Sequence, residues 1–141
     1  MSSTTKSSDP YLYPGTTVLK NLRGLTDPRE LEAFEARSTH RRLVELIEAP
    51  ISGRIDIAHL KAIRRHIFQD VFEWAGEFRT VDLSKNCHLF GRSAFLESAL
   101  DQIFRKLAEE NYLARLAADN FADRAAYYLS ELNAAHPEPR R

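Results

Sequence analysis

This chain has little of several things, and each shortage removes a class of protein. It has one cysteine, Cys87. A single thiol makes no internal disulfide, so a reducing compartment is expected. It has no excess of charge of either sign: 20 Lys and Arg stand against 20 Asp and Glu. Residues 1–70 carry eleven basic and nine acidic side chains, and residues 71–141 carry nine and eleven, so neither half is polarised. The broad basic face of a nucleic-acid binder has no support, and neither has a polybasic membrane anchor. No apolar run approaches the length of a membrane span. Met1 to Pro10 is polar and rich in Ser and Thr, without the apolar core of a cleaved signal. These absences predict a cytoplasmic protein, or a secreted effector that uses no cleaved signal. There is no internal repeat and no long low-complexity segment.

What is present suits one domain. Of the 141 residues, 43% are hydrophobic, which is enough for a modest core. The composition of Met1 to Ser8 predicts disorder. Two prolines and two tyrosines between Asp9 and Gly15 predict an extended arm over residues 1–25, its tyrosines packed on the domain. Asp27-Pro28-Arg29-Glu30 is a helix start, with a cap, a proline at the first position and a capping-box acid. Leu31, Phe34, Leu43, Val44 and Ile47 follow as its inner face, until Pro50 and Gly53 end it. Asp56 caps the next helix. Ile57, Leu60, Ile63, Ile67, Phe68 and Val71 make its stripe, and Gly76 breaks it. His59 and His66 edge that stripe, seven residues apart, which is not the one-turn spacing of a metal pair.

Phe78 to Leu83 and Cys87 to Phe90 read as two short strands around a turn at Ser84-Lys85-Asn86. Such a hairpin must rest on helices or on a partner. Ser93 starts a further helix with Leu96, Leu100, Ile103, Phe104 and Leu107 inward. Tyr112 to Ala117 predicts a short helix. Asn120, with Asp123 in the box position, caps the last helix, whose inner face is Phe121, Ala125, Tyr128, Leu129 and Leu132 and whose end is His136-Pro137. Periodicity alone leads no further than a helical domain with an exposed hairpin.

Two stretches resemble the Fic (Fic/DOC) family of protein adenylyltransferases. The first runs Ile67-Phe68-Gln69-Asp70-Val71-Phe72-Glu73-Trp74-Ala75-Gly76-Glu77-Phe78-Arg79-Thr80-Val81-Asp82-Leu83-Ser84-Lys85. Many members have such a helix, then Trp-Ala-Gly, then Arg and a short strand. The second, Leu132-Asn133-Ala134-Ala135-His136-Pro137, is similar to the helix end that leads into the family signature: His-Pro-Phe, a variable residue, an acidic residue and Gly-Asn-Gly-Arg. The arm and Leu19-Lys20-Asn21 look like the start of toxin-type and effector-type Fic domains.

The resemblance implies an all-α Fic-fold helical bundle with a small β-hairpin flap, over residues 26–141. It implies transfer of AMP from ATP, with magnesium, to a hydroxyl side chain of a target protein. His136 would be the general base, since a neutral imidazole can take a hydroxyl proton near pH 7. Leu83, Ser84, Lys85 and Asn86 of the flap would bind substrate, the target docking as an added strand. Lys85 suits a phosphate as a point charge; its other reading is a solvated turn lysine. The partners implied are a target protein and a small antitoxin-like protein, with no nucleic acid and no membrane.

After Pro137 the match stops. Glu138 stands at the Phe position, Arg140 at the acidic metal-holding position and Arg141 at the first glycine. A guanidinium has no lone pair for a metal. The chain is thus expected to be a truncated Fic domain, lacking the helix after the motif, inactive as it stands, without tightly bound ATP or magnesium, and marginally stable. The alternative function is a non-catalytic remnant or binding module that engages an antitoxin-like or target protein.

Overall fold

The computed structural model describes residues 9–80, 84, 85, 88, 89, 92–135 and 137. Met1 to Ser8 lie outside them. Among the described residues four α-helices follow in order: α1 (Pro28–Glu48), α2 (Ile57–Phe68), α3 (Leu96–Glu109) and α4 (Ala118–Ala135). α1 packs on α2, α2 on α3, and α3 on α4. Between α2 and α3 lies a two-stranded antiparallel ladder, β1 (Ser84–Lys85) with β2 (His88–Leu89), pairing Ser84 with Leu89 and Lys85 with His88. Ser84 and Lys85, read as turn, are strand, and Phe78 to Thr80 is irregular. Val81 to Leu83, Asn86, Cys87, Phe90 and Gly91 are outside the described residues.

The first two helices begin where local chemistry puts them. The Asp27 carboxylate accepts from the Arg29 N–H at 2.9 Å, and Pro28 opens α1 without an orphan donor. The Asp56 carboxylate accepts from the His59 N–H at 2.9 Å. α2 ends at Phe68 rather than running to Gly76. Val71 and Phe72 are both fully buried, at 0% and 1% exposure. The Val71 and Phe72 N–H groups both donate to the Phe68 carbonyl, at 3.0 and 3.1 Å, so the ladder closes into a turn there. The Phe72 ring stacks on Trp74 at 4.4 Å.

The last two helices differ more from expectation. A 3₁₀ turn at Ser93–Phe95 precedes α3. Asn120 lies inside α4, and the Ala117 carbonyl accepts from the Phe121 N–H at 2.8 Å to close its first turn. The short helix expected at Tyr112 to Ala117 is a 3₁₀ turn at Asn111–Leu113, in which Asn111, Tyr112 and Leu113 all have positive φ. Left-handed backbone costs a side-chain-bearing residue about 1–2 kcal/mol. Here it turns Leu113 inward to 7% exposure. Several residues assigned to inner faces are exposed: Leu43, Val44 and Ile47 on α1, and Phe121 and Leu129 on α4.

Two apolar clusters form the core. One gathers Val18, Leu31, Val71 and Phe72, with Tyr13, Leu19, Phe34, Phe68 and Trp74 packed against them. The other gathers Leu96, Leu100 and Ala135, with Ile57, Leu60, Phe78 and Leu132 around them. The arm is pinned to the first cluster. Leu12 bridges Leu19, and the Leu22 N–H donates to the Val71 carbonyl at 2.8 Å.

The chain passes from one cluster to the other through Trp74-Ala75-Gly76. Gly76 is buried, with φ +83°. A Cβ there would stand 2.7 Å from the Arg65 Cβ and 2.8 Å from the Lys61 carbonyl oxygen, both on α2. Only glycine permits both this backbone and this approach. Gly76→Ala is expected to lose more than the about 1–3 kcal/mol of a strained backbone alone. Gly15→Ala, at φ +73° with nothing within 4 Å, should lose no more than that strain. Urea midpoints of the two variants check the difference.

Candidate functional site

The three residues after Gly76 and Glu77 are each held by a different part of the molecule. Phe78 joins the second cluster, and the Lys61 ammonium lies 4.4 Å from its ring centroid. Arg79 is 2% exposed. Its backbone N–H donates to the Pro137 carbonyl at 3.0 Å, and its guanidinium donates to the Ala135 carbonyl at 3.0 Å. The Thr80 N–H donates to the Tyr11 hydroxyl oxygen at 2.9 Å, and the two hydroxyls meet at 2.9 Å. The Ser93 hydroxyl donates to the Thr80 carbonyl at 3.4 Å. The base of the hairpin is therefore tied at once to α2, to the end of α4, to the arm and to the start of α3.

The site residues expected from the sequence fall around this point. Ser84 and Lys85 form β1, four and five residues beyond Thr80. Ala135 and Pro137, on either side of His136, are both buried and both bonded to Arg79. His136, Leu83 and Asn86 lie outside the described residues. Arg79 was visible in the sequence only as part of the Trp-Ala-Gly stretch. A charged residue in a run of the type Phe78-Arg79-Thr80-Val81 was its signal, and the carbonyl partners were not legible because they lie 56 and more residues away.

A second polar cluster lies along α3 and α4. The Arg124 guanidinium grips the Glu110 carboxylate with two bonds of 2.8 Å, and the Tyr128 hydroxyl donates to the same carboxylate. The Arg124 guanidinium, and then the Tyr128 hydroxyl, hold the Glu110 carboxyl down at about 2. Burial, and then the Glu110 charge, push the Tyr128 hydroxyl up. Lys106 donates to the Tyr127 hydroxyl at 2.9 Å. Lys106, Tyr127 and Tyr128 of this cluster line a groove of about 510 Å³ between α3 and α4, with Ile103, Glu131 and Ala135 also among its walls.

Two groups that the resemblance implies can be tested against the residues present. Magnesium takes oxygen ligands. At the acidic position of the signature this chain has Arg140, which offers no lone pair. The backbone cradle for phosphates requires Gly-Asn-Gly-Arg, and residues 138–141 read Glu-Pro-Arg-Arg. The residues present do not fit the ion or the triphosphate. Among the described residues, no helix is long and apolar enough to cross a membrane.

The model of the Fic/DOC family matches residues 54–137. Protein adenylyltransferase VbhT of Bartonella schoenbuchensis is 44% identical over 131 residues, which are 93% of this chain and 27% of that protein. Probable protein adenylyltransferase y4lH of Sinorhizobium fredii is 38% identical, over 92% of this chain and 66% of that protein. The crystal structure of BepC, a VirB-translocated effector of Bartonella tribocorum with bound AMPPNP, superposes with a TM-score of 0.85 at 29% identity. That match covers 91% of this chain and 68% of BepC. The chain thus spans about a quarter to two thirds of the curated relatives named here.

The Glu110 cluster carries a pH dependence. Its carboxyl is lowered from 4.5 to about 2 in the folded chain. A depressed carboxyl contributes stability that is fully present above its unfolded value and is lost as pH falls through its folded value. The wild-type chain is expected to lose stability from about pH 4.5 down to about pH 2. Glu110→Gln should flatten that limb, as followed by urea melts at stepped pH.

Proposed function

Because this chain belongs to the Fic/DOC family, we propose that it is the part of a protein adenylyltransferase that supplies the base His136 and the target-docking flap, and that by itself it transfers no AMP. The observation that carries this reading is the pair of bonds from Arg79 to Ala135 and Pro137. They tie the root of the hairpin to the two residues that bracket His136, which supports reading flap and base as parts of one site. In the complete domain a neutral imidazole at His136 would take the proton of a target hydroxyl as that oxygen bonds the α-phosphorus of ATP and the bond to the leaving pyrophosphate breaks. Leu83, Ser84, Lys85 and Asn86 bind the substrate there, with the β1 edge pairing the target backbone and Lys85 facing phosphate. Residues 1–25 serve as the arm and residues 26–141 as the incomplete domain. The compartment we propose is the cytoplasm, with export as an effector the alternative, since BepC is a translocated effector.

A second reading is a non-catalytic module that holds an antitoxin-like or target protein. It is favoured by exposed apolar side chains around α3 and α4: Phe95 at 64%, Leu129 at 61% and Phe121 at 49%. Co-purification of a small partner with the untagged chain from its native operon would support it, and a chain that emerges alone would sink it.

The adenylyltransferase reading is tested by extending Pro137 with a complete signature and its following helix. Labelled AMP is expected on protein hydroxyls with the extended protein and not with the present chain. His136→Ala in the extended protein should lower the rate by about a hundredfold or more. A folded extended protein that transfers nothing overturns the reading.

A further inference from the structure

We propose that Arg79 is a positioning residue for His136. The inference rests on His136 being the base. A guanidinium with 2% exposure is costly to bury unless its donors are matched. Here it donates to Ala135, the last residue of α4. The final carbonyls of a helix have no partner within the helix, and a cation beside them also opposes the negative end of the helix dipole. Arg79 therefore fixes where α4 ends, one residue before His136. Its own backbone N–H fixes the next point, the carbonyl of Pro137.

Pro137 is itself buried. Position 136 thus has a bonded helix end on one side and a buried, bonded proline on the other. The same arginine holds both ends. Thr80 and Tyr11 brace it from behind through their bonds of 2.9 Å. A general base must be held within hydrogen-bond reach of one proton, and misplacement of about 1 Å costs on the order of a hundredfold in rate. Two restraints from one buried side chain and its backbone are suited to that demand.

The experiment is ring spectroscopy of the five histidines, His40, His59, His66, His88 and His136, in the intact chain without nucleotide. Arg79→Met removes the guanidinium and keeps an unbranched side chain. Arg79→Lys keeps a charge but not the planar fork. Folding of each variant is read from its urea midpoint. The expected result is a displaced or broadened His136 ring signal in Arg79→Met, a smaller displacement in Arg79→Lys, and unmoved His40, His59 and His66. If Arg79→Met does not fold, Arg79→Lys decides. A folded variant with an unmoved His136 overturns the proposal, as does displacement of all five rings together. So does failure of both variants to fold, since Arg79 is then a structural residue. The readout needs no transfer activity. A displaced His136 with no transfer by the extended protein removes the adenylyltransferase reading and leaves the clamp. Transfer with an unmoved His136 does the reverse.

Discussion

The approach of Gly76 to α2 is the constraint on which the other contacts depend. The chain enters from the first apolar cluster at Trp74 and reaches the second at Phe78. At Gly76 it lies against the backbone of α2, where a Cβ would meet the Lys61 carbonyl at 2.8 Å. That contact sets the line on which Phe78, Arg79 and Thr80 leave. Each of those residues must meet a fixed partner: a core, a helix end and a tyrosine hydroxyl. A shift of an ångström at Gly76 would displace all three, and bonds of about 3 Å do not survive such a shift.

The polar contacts elsewhere are of a different kind. On the outer face of α1 and α2, Arg42 grips Asp70 with bonds of 2.8 and 2.9 Å and also reaches Glu45. The Arg42 guanidinium holds the Asp70 carboxyl below its usual range. His66 meets the same Glu45 at 2.8 Å. These side chains keep between a fifth and two fifths of their surface in water. Surface pairs typically contribute about 0–1 kcal/mol, whereas burying one large apolar side chain contributes about 1.5–3 kcal/mol. Phe72 and Leu100, at 1% and 0% exposure, therefore weigh more than the whole outer network. Arg79 belongs with them, since its bonds lie inside the protein.

What the sequence made legible was what depends on a few adjacent residues. Asp27 and Asp56 cap their helices two and three residues on, so the starts of α1 and α2 could be read directly. The Trp74-Ala75-Gly76 stretch and His136-Pro137 carried the family because they are short and ordered. Other features were set by contacts far along the chain. The end of α2 is a turn in which Val71 and Phe72 share the Phe68 carbonyl, and a stripe of helical period that runs on to Val71 does not mark it. The turn at Asn111–Leu113 uses left-handed backbone to bury Leu113, against what its residues prefer. Phe121 and Leu129 have the right period for α4, but period does not reveal whether anything covers the face they share, and they stay exposed. Arg79 looked like one more polar residue in a strand because its partner carbonyls lie beyond the reach of any local pattern.

The Tyr11–Thr80 bond joins residues 69 apart in sequence, and Arg79 joins residues 56 apart. This gives the fold a high contact order in one small region. Loop-closure entropy must be met before such contacts form, which slows folding. During synthesis the arm leaves the ribosome before the residues it binds, with no hydroxyl partner until Thr80 has followed and no core to lie on until Val71 and Phe72 have. The arm is thus obliged to wait, and the Tyr11 side chain and its neighbours remain open to solvent and to other proteins throughout that interval. Assembly order, as well as final stability, is written into where the arm is tied.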